Sequence, residues 1–176
     1  MASAFGHGAA ALTISNIFKL KTKLSLGMVL LAVVCSILPD ADVIAFKFGI
    51  PYESMWGHRG ITHSFFFAAI LSSLLAYFFS KSKREFWALN AFLFLATSSH
   101  TLLDACTTGG LGVALFAPFD NSRYFLPWQV IKVSPLSLSS FFSSWGIKVL
   151  MSEFIWIGIP FLLSTIVLKL FKKTIR

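Results

Sequence analysis

Charge is scarce in this sequence, and acidic charge scarcer still. Aspartate and glutamate number 7 in 176 residues against 15 lysines and arginines, and the four charged types together make up 12%. Soluble domains carry roughly twice that fraction, so a water-soluble globular fold is not expected. Cysteine is nearly missing. Cys35 and Cys106 provide no disulfide framework and are expected to be buried, inert thiols. Nucleotide-binding signatures are missing as well: "TTGGLG" (107–112) fits neither a dinucleotide fingerprint nor a P-loop. No nucleophile elbow is present, and Ser64 beside His63 makes a poor nucleophile–base pair because adjacent residues diverge on a helix. The start, "MASAFGHGAAALTISNIF", lacks the basic n-region of a cleavable signal peptide.

What the sequence does have is apolar mass: 56% hydrophobic residues, 20 phenylalanines and a mean hydropathy of +0.78. This predicts an all-α, polytopic membrane protein forming a single domain over 1–176. Five membrane-associated helices are expected, at about residues 5–18, 24–38, 62–79, 86–105 and 147–171, the first two too short to span alone. The net charge of +8 does not indicate nucleic acid, because it is clustered. Ten of the fifteen basic residues are Lys19, Lys21 and Lys23; Lys81, Lys83 and Arg84; and Lys169, Lys172, Lys173 and Arg176. Each cluster borders an apolar stretch, as cytoplasmic ends do. Alternating the helices puts all three on one side, with the N-terminus outside and the C-terminus inside. The loop 106–146 is long for an unstructured connection and is expected to hold short helices or re-entrant pieces.

The polar remainder falls on the other side. "LPDAD" ends the second helix, with Asp40 and Asp42 either converging on cations or lying in a solvated turn. In "GHRGITHS", His58 and His63 are five apart and would diverge on one helix. They share a site only if His58 lies in the loop and His63 in the first helical turn, with Thr62 near the N-cap. Arg59 there suits phosphate oxygens or lipid headgroups. "HTLLD" places His100 and Asp104 at i and i+4 on one face, as two ligands to one ion or as a packing pair. His7 in "FGHG" joins them. Asp120 and Arg123 read as a loop ion pair or as residues reaching the site. Glu153 reads as a proton carrier, a carboxylate supporting the site, or a protonated hydrogen-bonding group. Four His and three Asp on one face suit Zn²⁺, Mn²⁺ or Fe²⁺. Seven candidates exceed one tetrahedral shell, so two ions or one well-supported ion is expected.

The N-terminal His with "LPDAD", "GHRGITHS" and "HTLLD" resembles the YdjM-like, membrane-bound, metal-dependent hydrolases of bacteria, over roughly residues 5–120. The resemblance implies a divalent-metal hydrolase of the bacterial inner membrane, related to the zinc-dependent phospholipase C and single-strand nuclease superfamily. The matching ligand positions are His7, Asp40, Asp42, His58, His63, His100 and Asp104, with zinc foremost and manganese or iron as alternatives. The expected activity is phosphoester hydrolysis of a phospholipid or lipid-linked substrate at the outer leaflet. In it Arg59 holds a non-bridging oxygen and Asp40 or Asp104 serves as general base. Membrane lipid is the expected partner. A metal transporter would need polar residues continuing across the membrane, where only Asn90 and Glu153 stand out; a metal-stabilised scaffold would need saturated coordination.

Overall fold

A computed structural model of the protein describes residues 1–20 and 22–174; Lys21 and Arg176 of the basic clusters lie outside them. Among the described residues the chain is helical, with no strand. The helices are α1 (Ala4–Phe18), α2 (Leu26–Ile37), α3 (Phe65–Phe79), α4 (Lys83–Ala105), α5 (Leu138–Phe141), α6 (Ser144–Glu153) and α7 (Ile159–Thr174). Serine starts most of them. Ser3, Ser25, Ser64, Ser82 and Ser143 each accept a backbone N–H from the first turn, relieving a donor that the apolar surroundings would leave unpaired.

Two expected helices change pitch near prolines. The apolar run of α2 does not stop at Pro39. It tightens into a 3₁₀ helix, Leu38–Phe48, that ends at Gly49 in the left-handed region (φ 71°). Proline is harmless there because the first residues of a helical segment need no N–H partner. The expected 147–171 helix begins earlier, at Ser144, and is interrupted by a π turn, Phe154–Gly158, before α7. Pro160 has no N–H to continue the regular ladder, which accounts for the change of pitch. Residues 106–137 hold no helix. Gly109, Gly110, Gly112, Pro118, Pro127 and Pro135 keep them irregular, tied by isolated bridges between Thr107 and Ile131 and between Val113 and Tyr124.

The helices close on small side chains. Ala11, Ala32, Cys35, Ala76 and Ala96 are buried together with Leu89, Phe92 and Leu93, so α1, α2, α3 and α4 approach closely without large side chains between them. Leucine, phenylalanine and isoleucine cover the outside instead. Three helical stretches, Leu26–Phe48, Lys83–Ala105 and Ser144–Phe171, are long and apolar enough to cross a membrane, and α3 is a shorter apolar helix.

α7 runs beside α1. Near its far end Asn16 Nδ2 donates to Ser164 Oγ (3.2 Å) and Thr165 Oγ1 (2.9 Å). At the near end the buried Glu153 carboxylate accepts from the Ser3 amide and from Ser3 Oγ. Glu153 therefore clamps the N-cap of the helix carrying His7, and the Ser3 carbonyl in turn accepts the His7 amide (3.0 Å). Gly6 makes room: a Cβ there would lie 3.0 Å from Glu153 Cδ. The result is a bundle with its histidines and aspartates at one end and its basic clusters at the other. Replacing Glu153 with alanine strips two buried donors of their acceptor, a loss of about 2–4 kcal/mol. The detergent-solubilised variant is expected to unfold several degrees below wild type in a thermal melt, while Ile155→Ala, on an exposed site of the same segment, stays near wild type.

Candidate metal centre

Five side chains from four segments meet at the polar end. His7 comes from the second turn of α1, Asp40 from the 3₁₀ helix after α2, His63 from a 3₁₀ turn (Ile61–His63) before α3, and His100 and Asp104 from successive turns of α4. Asp40 is 8% exposed and the other four are fully buried. Asp40, His63, His100 and Asp104 offer four donor atoms within 4.8 Å of one another. His63 Nε2 lies 3.5 Å from Asp40 Oδ1 and 3.6 Å from Asp104 Oδ2, and His100 Nε2 lies 3.5 Å from Asp40 Oδ1. His7 Nε2 is 3.4 Å from Asp104 Oδ1 and 3.8 Å from Asp40 Oδ2, with its ring stacked on His100 at 3.8 Å.

These separations exceed good hydrogen bonds. Both Asp40 oxygens, Asp104 Oδ2 and the Nε2 atoms of His7, His63 and His100 have no hydrogen-bond partner among the described residues. Two donors bound at 2.0–2.1 Å to one ion at a tetrahedral angle sit about 3.4 Å apart. The spacing and the unmet acceptors therefore fit a divalent cation bound by nitrogen and oxygen.

The surroundings set the ring orientations. The Ser36 carbonyl accepts His100 Nδ1–H at 2.8 Å, which leaves the Nε2 lone pair facing the cluster. His63 Nδ1 lies 3.1 Å from both Asp42 Oδ2 and Thr62 Oγ1, which likewise turns Nε2 inward. Asp42 is thus occupied otherwise than Asp40. Its oxygens take the His58 ring (2.7 Å), the Arg59 amide (3.2 Å), the Thr62 hydroxyl (2.7 Å) and His63 Nδ1. In a 3₁₀ helix residues two apart point about 120° away from each other. Asp40 and Asp42 therefore address neighbouring groups, linked by the one imidazole that touches both. Asp42, His58 and His63 form a second cluster of donor atoms, but one whose hydrogen bonds are largely met within the protein.

The loop between them is sterically specified. A Cβ on Gly57 would overlap the Pro51 carbonyl, and one on Gly60 the Met55 carbonyl. Arg59 adopts φ 62°, the left-handed region unusual for a long side chain. His58 does lie in the loop, as expected, but His63 precedes the helix instead of starting it. Ser64 caps α3, while Thr62 turns to Asp42.

Arg59 reaches no solvent. It is fully buried, with Nε 3.2 Å from Asp104 Oδ2, Nη1 donating to the Gly109 carbonyl (2.8 Å) and Nη2 to Thr107 Oγ1 (2.9 Å). Gly110, at φ 92°, permits this, since a Cβ there would come 2.6 Å from Nη1. The expected Asp120–Arg123 pairing is replaced by separate local roles. Asp120 accepts from Tyr124 Oη and the Ser122 amide; Arg123 donates to the carbonyls of Tyr52, Ser54 and His58. Arg123 thereby pins the loop carrying His58. Sequence reasoning missed the Ser36 carbonyl and the Ala2 amide, which donates to Asp104 Oδ1 at 2.7 Å. Backbone atoms leave no residue-type signal. Thr107 was visible only as part of a glycine-rich loop.

Burial alone would push the His63 pKa down, but the neighbouring carboxylates of Asp40 and Asp42 raise it to about 9. Below pH 9 the ion-free ring holds a proton that an incoming cation must displace. Zinc affinity, measured by chelator competition, should therefore rise about tenfold per pH unit between pH 6.5 and 8.5 and level off near 9. Asp42→Asn keeps the shape but weakens the hold on His63. It should cost about 10- to 100-fold in affinity, where Asp40→Asn abolishes stoichiometric binding.

Comparison with known proteins places the chain in a family. A family model described as "YdjM inner membrane protein" matches residues 1–175. Inner membrane protein YbcI of Escherichia coli (strain K12) is 44% identical over 130 residues, covering 73% of this chain and 75% of that protein. No solved structure matches. By the match along its length, the chain belongs to the YdjM family of inner membrane proteins.

Proposed function

We propose that the protein is a membrane-embedded, metal-dependent hydrolase acting on a phosphoester of a lipid or lipid-linked molecule. The observation that carries this reading is the convergence of His7, Asp40, His63, His100 and Asp104, buried and with their inward-facing atoms largely unpartnered. A divalent ion held by this set acidifies water and neutralises charge developing on an ester oxygen. Asp40, with two oxygens free of protein donors, can turn one toward the ion and keep the other to take a proton from the attacking water. His7 lies across the cluster, at the edge of the four closest donors. Arg59, given its contacts, holds Asp104 in place in this reading and leaves the phosphoryl group to the ion. Asp42 and the Ser36 carbonyl hold His63 and His100 in register.

A lipid substrate is favoured by what adjoins the site. A cavity of about 480 Å³, lined by Leu103, Cys106, Trp128, Val130, Ile131 and Trp156, opens at the C-terminal end of α4. Its walls are almost wholly apolar, and Trp128 and Trp156 are exposed, as interfacial aromatics are. An acyl or prenyl chain seated there brings its headgroup to the end of α4. Transport is less favoured. The polar residues between the site and the basic end spend their hydrogen bonds on each other: Ser72 and Ser73 with Asn90, and Asn16 with Ser164 and Thr165.

A second reading, a metal-stabilised scaffold, draws on the completeness of the burial. Five donors saturate a tetrahedral zinc but leave a six-coordinate manganese or iron ion one position for water. Purified protein should contain close to one equivalent of divalent transition metal and release phosphorylated headgroups from short-chain phospholipid in mixed micelles. Asp40→Asn and His63→Ala should each lower that rate by at least about 10²-fold. Stoichiometric metal with no turnover of any phosphoester would select the scaffold reading; protein that binds no metal after reconstitution would sink both.

A further inference from the structure

The end of the bundle farthest from the histidines carries a second cavity, of about 380 Å³, a volume typical of a small-ligand pocket. The C-terminal ends of α1 and α3 and the N-terminal ends of α2 and α4 surround it. Its walls are apolar: Phe18, Leu24, Met28, Phe79 and Leu89 among them. Its mouth is polar and mainly cationic, with Lys23 and Arg84 beside Thr22, Ser80 and Ser82. One acid, Glu85, also borders it. Glu85 Oε2 accepts the Lys81 amide (2.8 Å), so its charge is partly engaged in starting α4. Lys19, Lys81 and Lys83 lie in the same helix ends. Lys23 and Arg84 are exposed and in no ion pair among the described residues; every ion pair there lies at the opposite end, among the histidines and aspartates.

We propose that this cavity binds an anionic phospholipid, its acyl end among Phe18, Leu24, Met28, Phe79 and Leu89 and its phosphate between Lys23 and Arg84. Three features support this occupant together. The walls are as apolar as a lipid chain, whereas a soluble anion would use only the mouth. The two cations stand where helices meet the membrane border, and each basic residue near an anionic leaflet adds about 1 kcal/mol of attraction. Ser80 and Ser82 supply hydroxyls suited to phosphate and glycerol oxygens. The site is separate from the metal centre, so its occupancy should not depend on bound metal. Its lipid would be held as a structural or regulatory ligand and not hydrolysed.

The test is retention of lipid by the delipidated full-length protein in detergent, read by native mass spectrometry with phosphatidylglycerol or phosphatidylcholine added at equal concentration. Wild type should keep phosphatidylglycerol about tenfold better than phosphatidylcholine. Lys23→Ala combined with Arg84→Ala should bring that ratio close to one. Lys169→Ala combined with Lys173→Ala removes the same charge from the same end but off the cavity, and should leave the ratio unchanged. Ala88→Phe, which fills the cavity without altering charge, should reduce retention of both lipids. Glycerol phosphate should compete poorly. Equal retention of the two lipids by wild type would overturn the proposal. So would an equal loss in both charge variants, full binding by Ala88→Phe, or competition by glycerol phosphate as strong as by intact lipid.

Discussion

Asp40 presents two buried carboxylate oxygens to which no group among the described residues donates. Burying an uncompensated carboxylate in apolar surroundings is costly enough that proteins pair it, protonate it or give it a cation. His63 and His100 each stand 3.5 Å away, near enough to share the charge and too far for a short bond. The remaining features follow from that unmet demand. Three imidazoles turn their Nε2 atoms toward the same space, and hydrogen-bonding groups behind two of them, His63 and His100, keep those two so turned. A cation held by Asp40, His63, His100 and Asp104 would answer that demand, since these four offer donor atoms within 4.8 Å of one another.

The supporting groups divide the work by distance. Asp42 and Thr62 fix His63, the Ser36 carbonyl fixes His100, and Arg59 with the Ala2 amide fixes Asp104. Farther out, Glu153 holds Ser3 and so the start of α1, while Arg123 holds the loop that delivers His58. This layering explains why a membrane helix with few other contacts carries a buried glutamate. The C-terminal helix is anchored to the bundle mainly along α1, and a carboxylate with two donors orients that contact more strictly than aliphatic packing could. The π turn after Glu153 shifts the helix face just where Trp156 comes to line the apolar cavity at the end of α4.

Much of this was legible in the sequence, and for identifiable reasons. Scarce charge, the apolar runs and three basic clusters indicated a helical membrane protein, because no other class tolerates that composition. The i, i+4 spacing of His100 and Asp104 and the glycines around His58 brought the right residues together. Two things were hidden. A proline that ends one kind of helix can begin another, so Pro39 concealed the 3₁₀ extension that separates Asp40 from Asp42. And a side chain's partners depend on tertiary placement. Arg59 read as a free phosphate fork, yet a glycine at position 110 lets it lie flat against the loop and turn to Asp104. Nothing local to "GHRGITHS" reveals that the space for its guanidinium is made fifty residues away.

The same geometry bears on how a closed site could act. All five inward-facing residues are nearly or fully buried, so a molecule from outside reaches them only where the walls yield. The helices around α4 are tightly packed on alanine, and the loop at "GHRGITHS" is fixed by glycines that tolerate no added atom. The irregular segment 106–137 is different. It is held without regular structure, by two isolated bridges and by bonds such as the Ala114 amide to the Arg59 carbonyl and the Leu126 amide to the Ala105 carbonyl, carries exposed Phe116, Phe119 and Trp128, and supplies the Thr107 and Gly109 contacts that hold Arg59. Arg59 therefore joins that segment to Asp104 through a single side chain, which gives it a reason to be arginine: a lysine could neutralise Asp104 but could not hold the carboxylate, Thr107 and Gly109 together.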